Sequence, residues 1–172
     1  MRGLPLVLIG ALAAVGASGC STSATAPTQV MGAWRVAQIR LDTPDGSSVI
    51  TTPQNGLFIF TKSHYSAVWV PVQDRPATAA TPWAPTPGEM LTSYKSLVAH
   101  TGTYDIHSGV LVLHAEQAKN PNFVGGRITY DYQLADGSLM LTQTAIVYPG
   151  DKSDPRVRAQ PQTLKLVRVE EL

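Results

Sequence analysis

Four histidines, His64, His100, His107 and His114, are the side chains best suited to proton transfer or metal binding near neutral pH. Metal binding needs ligands that converge, on one turn of a helix or at even spacing along one strand. No two of the four meet either rule. His64 and His107 fall at hairpin turns and are expected to face water. His100 falls at a helix-to-strand junction. His114 lies inside an extended run with the parity of Val110 and Val112, and reads either as a hydrogen-bonded core residue or as a ligand contact. A metal or haem site built on it is the third reading, and no cofactor is expected.

The carboxylates are scattered. Asp105 and Asp131 lie on extended runs, opposite in face to Tyr104 and to Tyr130 and Tyr132. They read as solvated groups, because acid–base chemistry needs convergence that this spacing does not give. The sequence has no nucleophile elbow, phosphate-binding loop or dinucleotide fingerprint. Val124-Gly125-Gly126 precedes a strand, not a helix, so it makes no phosphate cradle. Catalysis is therefore not expected. The enzyme alternative is an isomerase or cyclase on a hydrophobic metabolite, using Asp131 or His114.

Aromatic residues remain: Phe58, Phe60, Tyr65, Trp69, Tyr104, Tyr130 and Tyr132. Tyr130 and Tyr132 share a face with Ile128 and Leu134, an apolar wall with polar tips of the kind that lines ligand pockets. Trp69, Tyr104, His114, Tyr130 and Tyr132 are the candidate ligand-binding residues. The same residues would equally fill a small solid core.

These side chains must be positioned by strands. Extended runs are expected at 33–41, 57–61, 65–72, 101–106, 110–115, 127–134, 138–146 and 162–169. Pro44-Asp45-Gly46, Lys62-Ser63-His64, His107-Ser108-Gly109 and Asp136-Gly137 are the turns between them. Residues 74–88 form a long Pro/Ala/Thr connection. Pro87-Gly88-Glu89 opens one short helix, with Met90, Leu91, Tyr94, Leu97 and Val98 on a helical stripe. Fourteen Gly and thirteen Pro among 172 residues agree with a turn-rich all-β domain. Eight short strands in sequence point to a sandwich or to an antiparallel barrel, and an eight-stranded barrel has room for one small ligand. With 13 Lys+Arg against 12 Asp+Glu, no broad attraction to nucleic acid is expected.

The N-terminus carries an address. Met1-Arg2 is followed by an apolar run from Leu4 to Val15 and by Ala17-Ser18-Gly19-Cys20. This is the layout of a secretory signal, and the run is too short to span a bilayer of about 20 residues' depth. The single Cys excludes an intramolecular disulfide. Its position resembles the lipobox of bacterial lipoproteins, with Ala17 where Leu is usual. That resemblance implies cleavage after residue 19, lipid modification of Cys20 with acyl chains such as palmitate, and anchoring in the bacterial cell envelope. Ser21 in place of Asp resembles the pattern for the outer membrane, facing the periplasm, in bacteria that have two. Residues 20–30 read as a lipid-anchored tether and 31–172 as the folded domain.

Gly32-Ala33-Trp34 resembles the Gly-x-Trp opening of lipocalins, and Arg168 on the last strand resembles the arginine that crosses the barrel to that indole. Taken with Gly102-Thr103-Tyr104 after the helix, Asn120-Pro121-Asn122-Phe123 and the terminal Leu164-Lys165-Leu166, the chain resembles the bacterial lipocalin-like domain family from about 31 to 170. The resemblance implies an antiparallel eight-stranded lipocalin-like barrel with one short helix. The leading functional expectation is a membrane-anchored envelope protein that binds a small apolar or amphipathic molecule. The alternative is a filled barrel serving as an interaction domain through the Trp83 loop.

Overall fold

The structure is a computed structural model and describes residues 29–72 and 78–171. The signal segment, Cys20 and the tether up to residue 28 lie outside the described residues. The strands are β1 (Gly32–Thr43), β2 (Gly46–Ile50), β3 (Leu57–Phe60), β4 (His64–Trp69), β5 (Val98–His107), β6 (Val110–Ala118), β7 (Arg127–Ala135), β8 (Ser138–Tyr148), β9 (Lys152–Ser153) and β10 (Gln162–Glu170). Two helices, α1 (Pro87–Ser96) and α2 (Arg156–Ala159), lie in the connections.

Eight strands close into an antiparallel ring. The order runs β1, β3, β4, β5, β6, β7, β8, β10 and back to β1, with β10 hydrogen-bonded to both β8 and β1. Closure leaves no free edge in the ring. Strand β2 folds back on the far half of β1, and β9 extends β8. The eight expected strands are the eight of the ring; β2, β9 and α2 are additions within segments that read as turns or loops.

The two ends of the barrel differ. At one end the hairpins are short. Ser108-Gly109 and Asp136-Gly137 both have positive φ at both positions, the two-residue turn that matches the twist of paired strands. The start of β1 and the end of β10 lie here too. At the other end the chain makes its long connections, 51–56, 70–97, 119–126 and 149–161.

Alternation puts Trp34, Val36, Phe58, Phe60, Tyr65, Leu111, Leu113, Tyr130, Leu139, Leu141, Leu164 and Leu166 inside, each 2% exposed or less. Val30 is fully buried, so the folded domain takes in a residue expected in the tether. Trp34 seals the hairpin end. Its Nε1–H donates to the Val30 carbonyl at 2.8 Å, and the Arg168 guanidinium lies over its ring, 4.1 Å from the centroid. Arg168 also donates to the carbonyls of Met31 and Gln29.

Candidate functional site

The long-connection end of the barrel holds a pocket of about 210 Å³. His100 is one of the residues that line it. Strand β5 begins at Val98, three residues before the extended run expected from sequence, and its alternation turns His100, Gly102, Tyr104 and Ile106 inward. His100 is 5% exposed. Its Nδ1 is 2.9 Å from the Tyr65 hydroxyl, and its Nε2 is buried with no hydrogen-bond partner among the described residues.

Three aromatic rings meet the imidazole edge-on. Centroid distances are 5.4 Å to Tyr65, 5.5 Å to Trp69 and 5.9 Å to Phe123. Such burial disfavours the charged form, and the imidazole is pushed down to about 4. His100 is therefore neutral at pH 7. Burial pushes the Tyr65 hydroxyl well above its ordinary range, so it keeps its proton.

Two glycines make this packing possible. A Cβ on Gly102 would stand 2.0 Å from the His114 carbonyl oxygen, where a bulge brings β6 close to β5. A Cβ on Gly126 would meet the Phe123 ring at 2.8 Å. Phe123 ends a short 3-10 turn, Pro121–Phe123, that folds over the mouth. Asn120 holds that turn, accepting from Asn122 N at its side chain and from Phe123 N at its carbonyl. Phe123 also packs edge-on against Tyr148, 5.7 Å away between centroids. Leu97, Val98, Ile128 and Ile146 supply apolar wall.

Lys119 closes one side. Its ammonium donates to the carbonyls of Tyr94 and Leu97 and sits 4.2 Å over the Tyr94 ring. These carbonyls end α1, where a cation is favourable. The other end of α1 has a capping box: Glu89 N donates to Thr86 Oγ1, and Thr86 N donates to Glu89 Oε2 at 2.7 Å. The helix is thus fixed at both ends, yet it buries none of its residues. The apolar stripe expected there is not a core face: Met90 and Leu91 are each 52% exposed, and Trp83 just before them is 87% exposed.

The expected ligand-binding residues separate along the barrel axis. Trp69 is buried at the mouth beside His100, and its Nε1–H has no partner among the described residues. Tyr130 is fully buried deeper inside, paired across the sheet with the buried Gln143. Tyr104 is buried toward the hairpin end, where its hydroxyl donates to the Thr61 carbonyl at 2.6 Å. That bond ties a hairpin and leaves the hydroxyl no spare donor. Tyr132 is half-buried at the same end. His114 is on the outer surface, a correction to the expectation that it lines the interior. Leu111, Leu113 and Ala115 take the inward positions of β6, and His114 Nε2 lies 2.9 Å from Asp105 Oδ2 outside the barrel.

His100 was the residue missed. The usable signal is its even spacing from Gly102, Tyr104 and Ile106, which an expected strand start at 101 leaves out. Phe123, Ile146 and Tyr148 reach the mouth from loops and strand ends that local alternation does not orient. Among the described residues, no three His, Cys, Asp or Glu side chains come together as metal ligands.

A model of the lipocalin-like domain family matches residues 31–162. Comparison with curated proteins and with solved structures finds no match.

Proposed function

Since the chain belongs to the lipocalin-like domain family, we propose that it is a lipid-anchored protein of the bacterial cell envelope whose barrel binds a small apolar or amphipathic molecule at its open end. The observation that carries the binding reading is the mouth pocket. It is walled by apolar side chains and holds one buried imidazole with an unpartnered nitrogen. A mainly apolar concavity with a few placed polar groups is the common form of a small-molecule site. The inward side chains below it, among them Leu111, Leu113, Tyr130, Leu139 and Leu141, are buried in one packed cluster, so the reading places the ligand at the mouth and not along the full length of the barrel.

The anchor rests on the sequence from Met1 to Cys20. One acyl chain binds a membrane only marginally, whereas two or three hold a protein stably. The chain enters the barrel at the hairpin end, where Val30 and Trp34 meet. Eight residues, 21–28, lie between Cys20 and Gln29, and the nine steps span at most about 30 Å when extended. On this reading the mouth faces away from the membrane that holds the anchor.

Native mass spectrometry tests the binding. All ring strands and the hydrophobic cluster lie between Val30 and Glu170, so the chain from residue 24 onward keeps the fold. Purified gently from bacteria, it should carry a discrete extra mass that denaturation removes. A barrel with no extra mass and no affinity for a fluorescent fatty acid overturns the reading. For the anchor, the membrane-extracted full chain should show an acylated N-terminal Cys20. Cys20→Ser should leave the chain unprocessed.

The exposed rim favours a second reading, an interaction domain. Trp83, Met90, Leu91 and Tyr94 present apolar surface around α1. Deleting residues 78–86 would then abolish capture of an envelope partner while leaving small-molecule binding unchanged.

A further inference from the structure

Lys119 gives the mouth pocket a charge that no carboxylate beside it neutralises. It is half-buried and lines the pocket together with Leu97, Val98, Phe123 and Ile146. Its ammonium donates to the Tyr94 and Leu97 carbonyls. An ammonium has three donors, so one is left for a further partner. The carbonyls do not cancel the charge. The C-terminal end of a helix carries about half a negative charge in all, against a full positive charge on the lysine.

The carboxylates of the neighbourhood are engaged or face other ways. Among the described residues, none comes within ion-pair distance of the Lys119 ammonium. Asp154, bonded by the Tyr148 hydroxyl, is paired with Arg156 at 2.6 Å. Glu116 on β6 is exposed, and Glu89 caps the opposite end of α1. Lys95 in the last turn of α1 adds a second positive charge at the Lys119 end. The rim there is positive, and the wall beneath it is apolar.

The volume sets the size of what enters. A cavity of about 150 Å³ accepts the six carbons of benzene, so one of about 210 Å³ holds about eight. Beneath it the inward side chains, Leu113 and Tyr130 among them, belong to the packed cluster.

We propose that the mouth pocket takes a small amphipathic monoanion, with an apolar body of about eight carbons against the wall and a carboxylate head on the Lys119 ammonium at the rim. This rests on the small-molecule reading above and narrows it to a ligand class. The head sits at a half-buried cation and keeps part of its hydration, so it avoids the cost of a fully buried charge.

Octanoate and octan-1-ol test this, since they share a chain and differ in the charge of the head. Binding to the chain from residue 24 onward is followed by NMR of nitrogen-15-labelled protein at pH 7. Octanoate should bind about tenfold more tightly, as expected for one charge-assisted bond. It should move the Leu97, Lys119 and Phe123 amide resonances. Raising the salt from about 20 mM to about 500 mM should erode its advantage and leave octan-1-ol unchanged. Affinity should rise by up to about fourfold per CH₂ from butanoate to octanoate, and flatten from octanoate to dodecanoate.

Lys119→Met keeps the apolar stem and should bring octanoate down to the affinity of octan-1-ol, with octan-1-ol itself little changed. Lys119→Arg, which keeps a cation, should retain part of the preference. If neither variant folds, the salt dependence of the unmodified protein decides. Equal affinity of octanoate and octan-1-ol for the unmodified protein overturns the anion assignment while leaving the pocket reading intact. Equal weakening of both probes in Lys119→Met also overturns it, because the lysine then acts only by holding α1. Affinity that keeps climbing to dodecanoate overturns the size limit. Failure of every probe to bind overturns the pocket reading and this inference with it.

Discussion

The Arg168 guanidinium lies 4.1 Å from the centroid of the Trp34 ring, and the two residues are also direct partners across the β1–β10 pairing. One contact therefore joins the first strand to the last where the barrel closes. The indole is fully buried and fills the hairpin end. Trp34→Ala should cost about 3–5 kcal/mol, the usual range for emptying a buried aromatic site. Arg168→Met removes the cation over the ring and the bonds to Met31 and Gln29 but keeps an apolar chain, and should cost about 1–2 kcal/mol. Urea unfolding of both variants checks the order. A Trp34→Ala midpoint equal to that of the unmodified protein would mean that the pair does not close the barrel.

His100 gives stability a specific pH dependence. Its folded value is about 4, below the 6.5 of an exposed imidazole. Between these values the unfolded chain binds a proton that the folded chain does not. The stability is thus fully present above pH 6.5, falls as pH drops toward 4, and levels off below. The total is about 3 kcal/mol at 1.36 kcal/mol per unit. The Asp154 carboxyl, held below its ordinary value chiefly by hydrogen bonds from Arg156, loses its own contribution at lower pH. Comparing urea midpoints at pH 7 and pH 4.5 isolates His100. The unmodified protein should lose stability between these two points and His100→Phe should lose much less. Equal losses in both would assign the acid sensitivity elsewhere.

Alternation made the barrel legible and left the mouth obscure, for one physical reason. A period of two fixes the face of a residue only when the strand's bounds and bulges are known. Ile128, Tyr130, Tyr132 and Leu134 could be read together because β7 is bounded by a clear turn at Asp136-Gly137. His114 was assigned the correct strand and the wrong face, since Val110 and Val112 beside it are as apolar as the inward Leu111 and Leu113. His100 lies just before the expected start of its strand, and although the alternation of β5 runs through it unbroken, the apolar helical stripe ending at Leu97 and Val98 masks where that strand begins. The Trp34–Arg168 contact was found because a family motif fixed both partners. The apolar residues of α1 mimic a core face, and only tertiary packing shows that they are uncovered.

Gly102 should be among the least replaceable glycines. An added Cβ would lie 2.0 Å from the His114 carbonyl oxygen and 2.8 Å from the Glu116 nitrogen, both backbone atoms. Neither can swing aside as a side chain would. Gly102→Ala should cost at least the ~1–3 kcal/mol typical of overpacking, and should disturb His100 two residues away. Gly88 in the first turn of α1 is the control, because a Cβ there meets nothing within 4 Å. Gly88→Ala should be neutral or stabilising by up to about 1 kcal/mol. Similar melting temperatures for the two variants would show that β5 and β6 move apart freely at the bulge.

Lys119 should control the mobility of α1 without controlling the fold. No residue of the helix is buried, so packing does not hold it against the barrel. Its tie is the Lys119 ammonium on the Tyr94 and Leu97 carbonyls and over the Tyr94 ring, with the Tyr94 hydroxyl returning a bond to the Lys119 carbonyl at 3.3 Å. Lys119→Ala removes the cation from the helix C-terminus, and a ten-residue helix has little stability of its own. Amide exchange across 87–96 should accelerate by about tenfold, since losing such charge-assisted bonds is worth roughly 1.5 kcal/mol. The barrel strands should keep their protection. Leu91→Ser, on the exposed side of the same helix, should change global stability by less than about 0.5 kcal/mol. If exchange in α1 stays at its original rate in Lys119→Ala, the helix is held by contacts other than this lysine.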